Sequence, residues 1–394
     1  MKGSFRSLNE ILSFRGGGTP RKDVPEYWSD EIPWASVKDF KSLDLAKTQD
    51  SISRKGLEAS ASNLIPAGHV IIPTRMALGK AAINSIDMAI NQDLRALIPK
   101  VPLDSRYLLH AMIGLADEIV RYGSGATVKG ITQENLGKLQ IPLPPLAEQK
   151  RIAAILDAAD ALRAKRREAL AQLDALLQST FLSLFGDPVS NPMGWPKTSI
   201  ENLVDNIDSG WSPTCLDRSA TDDEWGVLKL GAVTYCEYRE NQTKALPHEL
   251  TPRPEIEVRK GDLLFTRKNT YDLVAACAYV HETRPKLMLP DLIFRIRLSK
   301  SHGTEPTFIW QQLIFPRLRK HIQTFAGGAA GSMPNISKAK LRAIELITPP
   351  LPLQQKFAAI VESIERQKAA QRAHLAELDA LFAALQHRAF RGEL

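Results

Sequence analysis

The sequence predicts a mixed α/β (α+β) protein in which two pseudo-repeated globular domains are joined by two long antiparallel coiled-coil helices. Three observations carry that prediction. First, the run Pro144-Pro145-Leu146-Ala147-Glu148-Gln149-Lys150-Arg151-Ile152 returns as Pro349-Pro350-Leu351-Pro352-Leu353-Gln354-Gln355-Lys356-Phe357. The offset of 205 positions holds without a gap from there through Leu173–Leu177 and Leu378–Phe382. A long repeat at one fixed offset speaks about architecture before any single residue does. Second, both copies space their apolar residues in steps of three and four. Third, the stretch before each copy passes the same landmarks: a glycine turn, an apolar strand, a helix and a glycine-rich loop.

The two repeated stretches, 144–186 and 349–394, read as long helices. Ile152, Leu156 and Leu173 mark the apolar stripe of the first, and Phe357, Val361 and Leu378 that of the second. Sustained over about five heptads, this spacing suits a coiled-coil seam. The seam turns polar at Arg166 and at its equivalent, Gln371; a polar seam residue costs stability and fixes register. Proline suits the first helical turn, where its missing N–H would have no partner. At a rise of 1.5 Å, about 35 residues span roughly 50 Å. Two ordinary amphipathic helices, each packed on its own domain, are the plainer reading. The common offset favours one antiparallel pair bracing two halves, with Arg166 and Gln371 as its register device.

The first globular part, 1–143, begins with a short helix at Ser7–Leu12 and a turn at Arg15-Gly16-Gly17-Gly18-Thr19-Pro20. Strands are expected at Ile32–Val37 and His69–Pro73, a helix at Tyr107–Arg121 and a glycine-rich loop at 122–130. Gly186-Asp187-Pro188 ends the first long helix. The second part, 187–348, replays the order. Ser209-Gly210-Trp211 answers the glycine turn, and Leu263-Leu264-Phe265-Thr266-Arg267 answers the strand ending Thr74-Arg75, give or take one residue. Phe308–Phe325 answers the helix and 327–332 the glycine loop.

The 394 residues suggest two or three domains, and a hydrophobic content of 44% leaves ample material for cores. The net charge of +7 permits an anionic partner without requiring one. Three widely spaced cysteines, Cys215, Cys236 and Cys277, read as reduced thiols in a cytoplasmic protein. The N-terminus lacks the apolar region of a signal peptide. The most apolar run, Leu108–Ala116, contains His110 and is too short to span a bilayer.

Catalytic signatures are missing. The sequence has no Gly-x-Ser-x-Gly and no phosphate-binding loop. His248-Glu249 and His281-Glu282 lack the second histidine of a zinc motif. Pro290-Asp291 opens no nuclease carboxylate pair, so nothing would hold a magnesium ion. No metal site and no catalytic residue is assigned. What remains is loop chemistry suited to nucleic acid. Arg15 and Thr19 flank the glycine turn; Arg75, Lys80, Arg267, Lys268 and Asn269 follow strands; Thr127, Lys129 and Ser332 lie in or beside the glycine loops. Arginine, asparagine and threonine are the types that bond base edges and phosphates, and glycine lets backbone N–H groups approach phosphate. The basic cluster Arg163, Lys165, Arg166, Arg167 reads as a solvated or subunit-facing strip.

With these residues in view, the chain resembles the specificity (S) subunits of type I restriction-modification systems. The residues that carry the resemblance are Pro-Leu-Pro-Pro-Leu-Ala-Glu-Gln-Lys-Arg-Ile at 142–152 and Pro-Pro-Leu-Pro-Leu-Gln-Gln-Lys at 349–356. Phe185-Gly186-Asp187 and the terminal Arg388-Ala389-Phe390-Arg391-Gly392-Glu393-Leu394 add to it. One departure is Leu353 where the first copy has Glu148. The resemblance implies two target-recognition domains, 1–143 and 187–348, each reading half of a bipartite asymmetric site in double-stranded DNA. It implies that helices 144–186 and 349–394 act as spacer and docking surface for two modification (methyltransferase) subunits, with restriction (translocase/nuclease) subunits joining them. S-adenosylmethionine, ATP and magnesium would then belong to those partners, with no cofactor in this chain. A self-contained DNA-modifying enzyme, an adenine methyltransferase or a fused restriction enzyme, is the alternative. The missing cofactor strand and carboxylates count against it.

Overall fold

The computed structural model describes residues 4–124, 129–299, 301, 303–327 and 333–394. Its contacts divide the chain into two units. The first comprises Met1–Glu168 with Arg372–Leu394, and the second Ala169–Gln371. Each unit therefore holds a globular part and half of each long helix.

In the first unit the main sheet runs Leu12–Gly16, Leu94–Pro99, Val70–Pro73, Ala82–Asn84, Asp44–Leu45 in spatial order, antiparallel except for the last pair. Val70, Ile71 and Ile72 are apolar in succession because both faces of this sheet are covered. Val70 and Ile72 pack towards the helix Ser105–Gly114, whereas Ile71 packs towards a second sheet. Side chains alternate faces along a strand, so a doubly covered strand reads as an unbroken apolar run. The second sheet runs Asp50–Ile52, Ile32–Ala35, Met88–Ile90, Asn63–Ile65, with its central pair parallel.

The second unit repeats this plan. Its main sheet is ordered Val204–Ser209, Ile293–Leu298, Leu263–Thr266, Cys277–Tyr279. Leu263 and Phe265 face the helices and Leu264 faces the other sheet. That other sheet is Thr243–Ala245, Gly226–Leu228, Leu287–Met288, again with one parallel pair. Each unit also pairs its first strand with the strand leading into a long helix: Ser4–Ser7 with Gln140–Leu143, and Lys197–Ser199 with Glu345–Ile347. The helices expected at 107–121 and 308–325 are each two helices. The first pair breaks at Leu115; the second breaks at Phe315, before Pro316.

The long helices run Leu146–Phe185 and Leu351–Ala389, each directly after a Pro-Pro pair. Gly186, at φ 73°, ends the first in the left-handed conformation that glycine favours. Their starts are tied down by a residue that the sequence reading passed over. Gln149 accepts from the Asp104 N–H (2.9 Å) and donates to the Pro144 carbonyl (2.9 Å). Gln354, its equivalent, accepts from the Glu305 N–H (3.1 Å) and donates to the Pro349 carbonyl (2.7 Å). Both glutamines are buried. Glu148 instead binds Arg151 (2.7 Å), so its replacement by Leu353 in the second copy removes a surface pair and no cap.

The apolar stripes of the helices contribute to the core of each unit. Ile152 and Leu156 are buried in the core of the first unit, and Phe357 and Val361 in that of the second. Leu378 is half-buried; Leu173 is half-buried and packs against the second core. The far ends dock on aromatics: Phe185 lies 4.6 Å from Phe308, and its equivalent Phe390 lies 5.5 Å from Tyr107. The middle is polar and is held by ions. In the first unit Arg163 donates to Asp379 (2.6 Å) and to Asp160 (2.7 Å), with its guanidinium 4.3 Å above the Phe382 ring. Arg167 adds a bond to Asp379 (3.1 Å). In the second unit Lys368 binds Asp174 (2.8 Å) and Glu365 (2.7 Å). There residues 174 and 181 face 368 and 357, an antiparallel pairing. Arg163 and Lys368 stand at the same place in the repeat, as do Asp174 and Asp379. These pairs, rather than a solvated basic strip, are where Arg163 and Arg167 are used. Arg166 and Gln371 are half-buried and engaged. Among the described residues no helix is long and apolar enough to cross a membrane.

Lys368 is 7% exposed, and Glu365 is nearly as deeply buried, whereas Asp174 is largely exposed. Lys368→Ala takes the lysine from Glu365, which keeps a further contact, and should destabilise the second unit by about 2 kcal/mol. Asp174→Ala should cost under about 1 kcal/mol. Urea denaturation of the two variants checks the ordering.

Candidate nucleic-acid interface

The glycine turns are built by close approach of backbone to backbone. A Cβ on Gly17 would lie 1.9 Å from the Ile90 carbonyl oxygen, and one on Gly210 would lie 1.9 Å from that of Leu289. The following N–H groups, of Gly18 and Trp211, donate to those same carbonyls (3.0 and 2.9 Å). The glycines therefore make room for the chain's own strand, not for a ligand. They fix where the residues after the turn emerge.

Beside each turn, the central strand of the main sheet runs out into a loop rooted in the glycine-rich segment. In the first unit Thr74 N–H donates to the Asp93 carbonyl (2.7 Å), Ile131 N–H to the Thr74 carbonyl (2.9 Å), and Met76 N–H to the Lys129 carbonyl (3.2 Å). In the second, Arg267 N–H donates to Leu292 (3.1 Å), Ile336 N–H to Arg267 (2.8 Å), and Asn269 N–H to Pro334 (3.4 Å). The same bonds recur with Thr74 in the place of Arg267 and Arg75 in that of Lys268. The sequence match of Arg75 to Arg267 is thus shifted by one residue.

Arg75 is exposed, with Asp93 at 3.8 Å. Met76 next to it is exposed and holds a left-handed backbone at φ 69°. Thr19 donates its hydroxyl to Gln92. Thr19 and Met76 share the wall of an open cleft of about 540 Å³ with Lys22, Lys38, Asn91 and Gln92. Trp34 also lines it and is fixed by donating to the Gly18 carbonyl (3.0 Å). The tryptophan–lysine lining carried no spacing that marked it in the sequence. Lys129 is exposed at the root of the loop. Arg15 and Lys80 do not line the cleft: Arg15 is exposed on the edge strand, and Lys80 donates to the Phe40 carbonyl (3.2 Å).

In the second unit Arg267 is half-buried, its guanidinium 5.4 Å from the centre of the Phe294 ring. Lys268 is half-buried and bridges Asn335. Asn269 is 7% exposed; it donates to the Thr234 hydroxyl (3.1 Å) and accepts from the Thr270 N–H (2.8 Å). With both ends of its amide engaged, it holds the loop from inside rather than projecting from it. Thr127 and Ser332 lie outside the described residues.

Behind this loop, Arg295 is 3% exposed and binds Asp208 (2.9 Å) and Asp262 (3.2 Å). Arg297 adds a second bond to Asp208 (2.6 Å). Burial pushes the Asp208 carboxyl up, but the two arginines outweigh it and hold the group below its ordinary range.

Residues 3–172 match the family model of the type I restriction modification DNA specificity domain. The chain is 36% identical over 203 residues to the type I restriction enzyme EcoEI specificity subunit of Escherichia coli, covering 49% of this chain and 34% of that protein. It is 32% identical over 184 residues to the EcoR124I/EcoR124II specificity subunit of Escherichia coli, covering 45% and 46%. The chain thus spans a third to a half of the length of these curated relatives. Its fold matches the crystal structure of a type I restriction-modification S subunit from M. genitalium, with a TM-score of 0.59, 14% identity, and 98% and 96% of the two chains covered.

Two outcomes test this local architecture. Gly17→Ala forces backbone against backbone and should cost about 3 kcal/mol or more. Gly68→Ala, at φ 89° in open space, should cost only about 1 kcal/mol. Thermal unfolding separates them. For Asp208 the folded pKa is depressed, so its contribution is present above the ordinary carboxyl value of 3.8 and is lost as pH falls through the lower folded value. The gap in melting temperature between wild type and Asp208→Asn should be widest near pH 7 and close on acidification below pH 4.

Proposed function

We propose that the chain belongs to the type I restriction-modification specificity family, whose domain model matches residues 3–172, and that it is the DNA-reading and scaffolding subunit of such a complex. Each unit reads one half of a bipartite, asymmetric site in double-stranded DNA. The observation that supports this most directly is the recurrence, in both units, of one hydrogen-bonded loop carrying different side chains. Thr74-Arg75-Met76 in the first stands where Arg267-Lys268-Asn269 stands in the second. A common root with divergent residues is what two readers of different sequences require, since phosphate contacts position and base contacts specify. Arg15, Thr19, Arg75, Lys80 and Lys129 are the candidate contacts of the first reader, and Arg267 and Lys268 those of the second.

In functional terms the chain divides into readers at 1–143 and 187–348 and spacer helices at 144–186 and 349–394. The helices set the interval between half-sites, of the order of one DNA turn of about 10 bp, and present the docking surface for two modification subunits. Restriction subunits complete the assembly. Catalysis, with S-adenosylmethionine, ATP and magnesium, belongs to those partners; this chain is non-catalytic and cytoplasmic.

Incubated alone with DNA and labelled S-adenosylmethionine, the chain should transfer no methyl group. Together with modification subunits it should direct methylation to a split motif, read by mapping host DNA with and without the chain. Exchanging residues 197–348 for those of a relative should change one half of the motif and leave the other intact. Methyl transfer by the chain alone, or a motif that changes throughout, would refute the assignment.

A further inference from the structure

We propose that Arg267 and Lys338, both held on the ring of Phe294, form a clamp for one backbone phosphate of the DNA in the second unit, with no counterpart in the first. This rests on the DNA-reading function and assigns a part within it.

Phe294 is 1% exposed and lies mid-sheet, paired with Ser209 on one side and Phe265 on the other. It is a fixed platform. The guanidinium of Arg267 sits 5.4 Å from its centroid and the ammonium of Lys338 sits 5.7 Å away. Both fall within the range at which an aromatic face attracts a cation. The two come from different segments that are joined at the base, because Ile336 N–H donates to the Arg267 carbonyl (2.8 Å). The ring holds each cation, but the two still repel one another, and among the described residues neither has an ion-pair partner. Arg295, next in sequence to Phe294, shows the opposite arrangement, its charge met by Asp208 and Asp262. One arginine is neutralised within the fold; the other two-cation group is left for an anion from outside.

A phosphate suits this group better than a base edge. Arg267 is half-buried at the root of the loop, one residue beyond the strand, and its Nε is buried. What it can offer outward is the terminal fork. The partner cation is a lysine, a point charge that a phosphate oxygen satisfies. Asn269, of a type that reads adenine, is turned inward.

The first unit fills the same three places differently. Thr74 stands for Arg267 by hydrogen bonding, Arg95 for Phe294 by strand register, and Gln133 for Lys338 by the 205-residue offset. Arg95 spends its guanidinium on the carbonyls of Gln92 (3.0 Å) and Leu94 (2.8 Å). Arg75 faces Asp93.

The test uses the full chain in complex with modification subunits and a duplex carrying its site. Arg267→Ala and Lys338→Ala should weaken binding equally for all base variants of the second half-site. Each should reduce the slope of log K against log salt by about 0.9. Single methylphosphonate replacements along that half-site, scanned with the wild-type chain, should reveal one phosphate whose neutralisation weakens binding. The same replacement should have no further effect on the double variant. Loss of discrimination at one base pair with an unchanged slope would make Arg267 a base reader and overturn the clamp. So would variants indistinguishable from wild type on a site that wild type binds specifically. A wild-type complex with no site-specific binding would refute the reading function itself.

Discussion

The pairing of Arg163 with Asp379 and of Lys368 with Asp174 is the constraint on which the long helices depend. Apolar contact at their ends is strong but poorly directional, since dispersion and hydrophobic burial tolerate small slides. An ion pair at 2.6–2.8 Å does not. Moving one helix along the other by a single residue, about 1.5 Å with a turn of about 100°, would take both bases away from both acids. Lys368 sharpens the penalty. Burial pushes its ammonium down, yet Glu365 and Asp174 outweigh burial and keep it charged. Because Asp174 is largely exposed, its pair with Lys368 is a modest source of stability, and its directionality is what bears on register.

Much of this architecture was legible in the sequence, for a physical reason. A helix of about 40 residues writes its period many times over, and a repeat at fixed offset doubles the signal. The sheets were less legible. Strands of three residues, such as Ala82–Asn84 or Gly226–Leu228, are too short to show alternation, and doubly covered ones such as Val70–Pro73 do not alternate. The polar step at Arg166 and Gln371 was visible in the spacing, whereas the ion pairs three and eight positions from Arg166 within the repeat were not, because polar spacing does not say which charges meet. Gln149 and Gln354 were visible as an exact repeat, but their role as clamps needed the neighbouring strand and helix in three dimensions.

The candidate interface was legible only in outline. The sequence located the loops, because glycines and strand ends punctuate them. It could not separate Arg267, lying on an aromatic ring, from Asn269, folded inward two residues on. Nor could it place the loops in register to the residue: the match of Arg75 to Arg267 was off by one, since only the backbone bonds of Thr74 and Arg267 reveal equivalence. The rigid parts lie in the sheet and the loop roots. The variable chemistry sits one to three residues beyond them, where side chains change without altering the backbone bonds that hold the loop.

The reciprocal pairs have a consequence for descent. Each copy of the repeat supplies the base of one pair and the acid of the other, so the two copies are each other's selective environment. A change at 163 takes a partner from 379, in the other copy, and one at 368 takes a partner from 174. The loops carry different side chains in the two units on the same backbone bonds. The chain thus repeats one frame and varies two surfaces built on it, and each helix of that frame begins at a buried glutamine.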